Sequence, residues 1–461
     1  MTLPPPVPRQ RHIVSPRLER AAFKTSRLLD FVGRRELTAQ IGHPPEQWPL
    51  VILKELVDNA LDACEEAEVA PEITAQVDTA TGAISVSDNG PGLRPETVID
   101  ILDYSVRVSS REAYVSPTRG AQGNALKTIL AMPFALDGGR GETVIQSAGQ
   151  VHRIVFAVDR IRQEPRIDRA NGPSPIKNGT SVTVSWPDSA CSILLAAKSR
   201  FLQFADDFAW LNPHLAIRVE WDGETLVDHR PSDPGWRKWR ACDPTSAHWY
   251  DHARLERYMA AHVARDQDQC RDRTVRDFIS EFRGLSGSGK QKGVLEESET
   301  ARTSLAAFLS NGESVNQAGI ARLLAAMRHH TRPPKPKDLG VIGRDHLFAH
   351  FTRNGVHEKT FRYKSVIGET EGGLPIVIET AFGWCPQVQC GRRIIAGANW
   401  SVALGNPFRS FGQEGEGLES VLAEQRAGRA EPIVFVLHLA APRIEFRDRG
   451  KTALVIAEQK G

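Results

Sequence analysis

The chain has 461 residues, long enough for two or three domains. Hydrophobic residues make up 41% and charged residues 25%, with a mean hydropathy of −0.33 and a net charge of +2, which excludes a membrane-embedded or a globally basic protein. Six cysteines are scattered without C-x-x-C pairs, which argues against a zinc ribbon and for reduced thiols in a cytoplasm.

Residues 1–24 read as a flexible, proline-rich arm, with five Lys/Arg against one acid and no apolar signal-peptide core. From about 48 to 68, "WPLVILKELVDNALDACEEAE" places Leu53, Leu56, Val57, Ala60, Leu61 and Cys64 on one helical stripe. The segment "EITAQVDTATGAISVSDNG" reads as two alternating strands joined at "TATG". A loop-rich stretch leads to a second helix, "GNALKTILAMPFAL", and then to four strand-like runs beginning with "TVIQSAG", "VHRIVFAVD", "GTSVTVSW" and "LAIRVEWDG". Helices and strands in that order predict an α+β sandwich. Between about 240 and 332 come short amphipathic helices such as "HARLERYMAAHVA" and "GIARLLAAMRHH". After the break "TRPPKPKD", strand-like runs return in "LPIVIETAFGW", "RRIIAGAN" and "EPIVFVLHLAA". The expected boundaries fall near 228 and 334.

"GLSGSGKQ", residues 284–291, misses a P-loop by one letter. A P-loop needs a strand before its glycines and a Ser or Thr after its lysine. Here a helical pattern precedes Gly284 and Gln291 follows Lys290, so the stretch reads as a helix-to-helix connection.

Three other stretches carry nucleotide chemistry. In "ELVDNALDA", Glu55, Asn59 and Asp62 share one helix face, which suits a general base beside an Mg²⁺ ligand, although both also fit a solvated face. In "SVSDNGPGL", Asp88 ends a strand where a carboxylate can accept from an exocyclic amine, and Gly90 and Gly92 allow a ring close approach; by itself the motif is also an ordinary Asx turn. "TRGAQGNALK" is a glycine-rich loop opening a helix, able to present amides to phosphate.

In this order, the stretches resemble the N-box and glycine boxes of the GHKL (Bergerat-fold) ATPases, with "NGTSVTV" similar to a further box. Within that superfamily the chain resembles the B subunit of DNA topoisomerase VI: "SSREAYVSPTRGAQG", "PPKPKDLGVIGRDHLF", "ANWSVALGNPF" and "HLAAPRIEFRDRGKTALVI" carry the likeness over nearly its whole length.

The resemblance implies an N-terminal GHKL α/β sandwich over residues 25–228. A helical, helix-two-turns-helix-like middle domain would follow over 229–334, and a transducer-like α/β domain over 335–461. It implies ATP and Mg²⁺ as cofactors, with Glu55 polarising the attacking water, Asn59 ligating Mg²⁺, and Asp88 reading adenine with help from Thr180. Ser110, Arg111 and the loop of Arg119, Gly120, Ala121, Gln122, Gly123, Asn124, Ala125 and Leu126 would wrap the phosphates, and Lys451 would reach the γ-phosphate. It further implies a homodimer closed by ATP, acting on duplex DNA with a separate DNA-cleaving partner of topoisomerase VI A type and without a membrane. An ATP-gated interaction switch without strand passage stays open beside it. Arg111 stands where the family has lysine, Ala125 stands at a family glycine, and ten residues follow Lys451 where the family continues into a helical stalk.

Overall fold

The computed structural model describes residues 33–102, 114–120, 125–159, 161, 164–311, 314–370, 372–385, 391–409, 417–448, 450–451 and 453–455. The expected arm 1–24, and Ser110, Arg111, Ala121, Gln122, Gly123 and Asn124, lie outside the described residues.

Helix α1 (Arg34–Ile41) ends at Gly42, whose φ of 77° closes the last turn. A 3₁₀ turn and Pro49 then start α2 (Trp48–Glu66). The stripe expected from sequence is buried in full, with Leu53, Val57, Leu61 and Cys64 showing no exposure. Truncating Leu53 to alanine there would cost about 2–5 kcal/mol. The hairpin follows as β1 (Glu72–Asp78) and β2 (Ala83–Asp88), burying Ile73, Ala75, Val77, Ile84 and Val86 against the helices.

After α3 (Pro95–Leu102) and α4 (Ala125–Asp137) come β3 (Arg140–Ser147), β4 (Gln150–Asp159), β5 (Glu164–Pro173) and β6 (Thr180–Ser185). The long α5 (Cys191–Leu211) precedes β7 (Ala216–Trp221) and β8 (Glu224–His229). These strands form one eight-stranded sheet in the order β5-β4-β3-β6-β2-β1-β7-β8. All neighbours run antiparallel except β1 and β7. The α+β reading holds. Two strands, the longest helix, α1 and α3 lie outside the sequence expectations, α3 within the stretch read as loop-rich. β5 and β8 are the two edges of the sheet, where a strand has one neighbour and little reason to alternate apolar and polar residues.

The helical stretch comprises α6 (His252–Asp268), α7 (Val275–Ser280), α8 (Ser288–Glu297), α9 (Leu305–Leu309) and α10 (Gln317–His329), with a two-residue hairpin of β9 (Ser310–Asn311) and β10 (Ser314–Val315). Local sequence starts these helices: Asp251, Ser304 and Asn316 cap α6, α9 and α10, and Thr274 and Asp277 form a reciprocal capping box on α7. Helix α11 (Arg344–Arg353) then leads into β11 (Arg362–Glu369), β12 (Pro375–Trp384), β13 (Arg393–Ala398), β14 (Ser401–Val402), α12 (Leu418–Glu424) and β15 (Ile433–Ala440). The second sheet has the order β11-β12-β15-β13-β14, with only β13 and β15 parallel. One buried cluster runs continuously from Leu37 through the helical stretch to Ala440, and a smaller one, around Phe408 and Leu422, packs on the second sheet. Among the described residues, no helix is long and apolar enough to cross a membrane.

Candidate nucleotide site

One end of the site lies where β2 meets the start of β6. Asp88 closes β2, and its Oδ1 accepts from the backbone N–H of Gly90 at 2.8 Å and of Thr180 at 3.2 Å. Both bonds end on one oxygen, and among the described residues none ends on Oδ2. Burial raises the Asp88 carboxyl above its ordinary range, with the two N–H groups opposing. The glycines are required by close approach. A Cβ on Gly179 (φ +81°) would lie 2.0 Å from the Asp88 carbonyl oxygen, and one on Gly92 (φ +86°) 2.7 Å from Ser147 Oγ. Gly90 sits against Cys64 Sγ, which would be 3.3 Å from a Cβ there. Ser147, which the sequence reading omits, ties the corner together: its hydroxyl donates to Gly179 O at 2.8 Å, accepts from Leu93 N at 2.8 Å and lies 3.3 Å from Thr180 Oγ1.

The other end lies toward the start of α2. Nine residues separate Glu55 from Cys64, about 13 Å along the axis at 1.5 Å per residue. Glu55 keeps 24% of its side chain exposed, and Asn59, one turn on, is exposed on the same face. Lys54 bonds Glu55 Oε1 at 3.3 Å and Asp58 Oδ2 at 2.8 Å, and Asp58 also accepts from Ser401 Oγ at 2.6 Å. Burial pulls the Lys54 ammonium down, but Asp58 and Glu55 outweigh it and hold the group above the ordinary lysine range. Burial pushes Glu55 up, but Lys54 and Lys451 outweigh it and hold the carboxyl below its ordinary range.

Lys451 reaches this end from the far end of the sequence. It sits in the turn of a hairpin closed by bonds from Arg447 N to Ala453 O and from Val455 N to Glu445 O, each 2.8 Å. Its φ is 54°. His43 Nε2 lies 3.0 Å from Gly450 O, fixing the turn against the α1–α2 connection. The ammonium donates to Arg119 O at 3.1 Å. Burial, and then repulsion from Lys54, draw its pKa down, while Glu55, Asp58 and Asp62 act the other way. A cavity of about 650 Å³ opens beside Lys54 and Lys451; Asp88 and Asn59 are not on its wall.

Arg119 is held by partners that the sequence reading did not name. Its guanidinium is fully enclosed, donating to Asp62 at 2.8 Å, to both oxygens of Glu65 at 2.8 and 2.6 Å, and to Asn212 at 2.7 Å. Two buried carboxylates demand a counter-charge and take up the guanidinium, while the carbonyl oxygen accepts from Lys451. Glu65 is a second residue that sequence reasoning missed. It also takes Lys238 at 2.7 Å and lies 3.0 Å from His214 Nε2; burial pushes its carboxyl up, but the charges of Arg119 and Lys238 and the His214 hydrogen bond outweigh it and hold it well below the ordinary carboxylate range. Gly120, Ala125 and Leu126 border the part of the expected phosphate loop that lies outside the described residues.

The glycine-rich stretch at 284–291 lies elsewhere. It connects α7 to α8, and Lys290 falls inside α8. Gln291 is buried, donating to Leu285 O at 2.8 Å and accepting from Arg276 Nε at 2.9 Å. It holds the helix connection closed.

Residues 46–190 match the sequence model of the family described as histidine kinase-, DNA gyrase B-, and HSP90-like ATPase. The chain carries a GHKL ATPase domain. The chain is also similar to the B subunit of type 2 DNA topoisomerase 6 from Archaeoglobus fulgidus, at 24% identity over 431 residues, 89% of this chain and 67% of that one. The same-named protein of Methanococcoides burtonii is 26% identical over 40% of this chain and 30% of its own length, and that of Thermococcus sibiricus 28% identical over 46% and 38%. This chain therefore spans about two thirds of the first relative and well under half of the other two. Among solved structures, the MutL ATPase domain of Aquifex aeolicus complexed with ADP aligns over 84% of this chain and 90% of that one. Its 11% identity and TM-score of 0.34 are too low to bear on the site. The GHKL match covers the Asp88 corner, α2 and the Arg119 loop, while Lys451 lies beyond it.

Proposed function

We propose that this protein binds and hydrolyses ATP in the manner of the topoisomerase VI B subunit, with units over 25–228, 229–334 and 335–461. ATP would close a homodimer that acts on duplex DNA together with a separate DNA-cleaving partner. The observation that carries this reading is that Lys451 bonds Arg119 O at 3.1 Å and lines one cavity with Lys54 of α2, although the two lysines lie near opposite ends of the chain.

The residues fit the ligands. Oδ2 of Asp88 would accept from an adenine amine, Gly90 and Gly179 let the backbone of this corner close on Asp88, and Asn59 offers the kind of oxygen that Mg²⁺ takes. Bound Mg²⁺ would neutralise phosphate charge. Glu55, held as a carboxylate by Lys54, is the base that takes a proton from water. Thr180 supports Asp88 through its N–H. Lys451 offers a compact positive charge to the terminal phosphate, a contact that exists only while that phosphate is present. Because it belongs to the hairpin beyond the second sheet, its contact can report nucleotide state to that sheet.

The test is Glu55→Ala, with ATP affinity and turnover measured separately and mass followed by light scattering with a non-hydrolysable analogue. Retained binding, abolished turnover and conversion of monomer to dimer support the reading. Equal loss of binding and turnover would reassign Glu55 to nucleotide contact, and a single mass in every nucleotide state would remove dimer closure.

A further inference from the structure

We propose that Glu297, His329 and His330 form a binding site for a zinc-class divalent cation that clamps the end of α8 to the end of α10. Glu297 is the last residue of α8, His329 the last of α10, and His330 follows it. His329 Nδ1 lies 2.9 Å and His330 Nε2 3.0 Å from the same oxygen, Glu297 Oε2. All three donor atoms fall within 4.8 Å of one another. Tetrahedral ligands about 2.1 Å from a zinc ion stand roughly 3.4 Å apart, so the cluster closes on an ion with movements well under an ångström for the carboxylate pairs. Two imidazoles and a carboxylate, with a fourth position left to water, suit Zn²⁺ or Co²⁺ better than Mg²⁺ or Ca²⁺, which take oxygen.

Adjacent histidines use opposite ring nitrogens here, which lets two successive residues face one point: His329 through Nδ1 and His330 through Nε2. The second ring is seated by Gly293, one turn before Glu297 on α8. A Cβ there would meet His330 Cε1 at 2.6 Å and both ring nitrogens at 3.1 Å. Gly293 therefore leaves room for the ring over α8, which is what aims it at Glu297. His329 is 73% exposed, which gives an ion access from solvent. An ion held this way would join the ends of two helices and would stabilise the helical stretch by mass action.

The test uses the untagged full chain stripped with chelator. Zn²⁺ affinity is measured by competition with a chromophoric chelator, and Co²⁺ loading by its visible absorption. The expected result is one equivalent of Zn²⁺ at micromolar affinity or tighter and a raised melting temperature. Glu297→Ala and the His329→Ala, His330→Ala double variant should each weaken binding at least tenfold while melting like the metal-free wild type. Gly293→Ala retains every donor and should still weaken binding several-fold by displacing the His330 ring. Wild type that takes up no Zn²⁺ at tens of micromolar, or uptake unchanged in the double variant, would overturn the site. ATP turnover does not enter this test, so its outcome is independent of the proposed activity.

Discussion

Gly179→Ala perturbs the proposed adenine end of the site without removing any charged group. The added Cβ would stand 2.0 Å from the Asp88 carbonyl oxygen and 3.0 Å from its carbon. An ordinary close carbon-to-oxygen approach is about 3.3 Å, so more than an ångström is missing. The obstacle is backbone, so no rotamer relieves it and the end of β2 must separate from the start of β6. Two bonds cross that gap, Gly179 N to Gly90 O at 2.7 Å and Thr180 N to Asp88 Oδ1 at 3.2 Å. Losing them costs about 0.5–1.5 kcal/mol each, and a φ of +81° adds about 1–2 kcal/mol for alanine. The sum is about 2–5 kcal/mol, and Asp88 loses one of the two donors that aim it. ATP affinity, read by titration of a fluorescent analogue, should fall more than tenfold, and the melting temperature by several degrees. Gly138→Ala is the control: its φ is +77° with nothing within 4 Å of a Cβ, so it carries strain without collision. Wild-type affinity in Gly179→Ala, or an equal loss in Gly138→Ala, would refute the reasoning.

Lys290→Ala should change neither ATP affinity nor turnover, since Lys290 sits in α8 after a helix-to-helix connection; a tenfold loss of binding, by the same titration, would reopen the P-loop reading. Stability should fall with acidification between pH 6.5 and 4. Burial lowers His346 to about 4 and, with repulsion from His346, His350 to about 3, against 6.5 in the unfolded chain. The unfolded state therefore binds more protons in this window, and stability present above pH 6.5 is lost on the way down, by about 2 kcal/mol per histidine at pH 5. A His346→Gln, His350→Gln variant should show a shallower dependence of melting temperature on pH; an identical slope would discount both.

Local pattern made the site's scaffold legible. The stripe from Leu53 to Cys64 on α2 is buried as its spacing requires, and the Asp88 strand ends where its glycines imply. What pattern could not show is why charged residues of α2 are buried too. Lys54, Asp58 and Glu65 look solvated on a helical wheel, yet Ser401, Arg119, His214 and Lys238 enclose them. Asp58 and Ser401 are 343 residues apart, a separation on which helical or strand periodicity carries no information. Arg119 shows the same limit, since its buried carboxylate partners, and not its place in a glycine-rich loop, decide where the guanidinium points. Helix α5 is a different case: Leu194, Ala197, Phe201, Ala205 and Phe208 form a helical stripe that the sequence does display.

The central claim is that Lys451 completes an ATP site begun four hundred residues earlier. Its direct test is turnover of Lys451→Ala beside its affinity for ADP. With the terminal phosphate as its target, Lys451→Ala should hydrolyse ATP at least tenfold more slowly while binding ADP within about twofold of wild type, and Lys451→Arg should rescue poorly because a planar fork replaces a compact charge. Lys451→Ala turning over ATP at the wild-type rate would contradict the account.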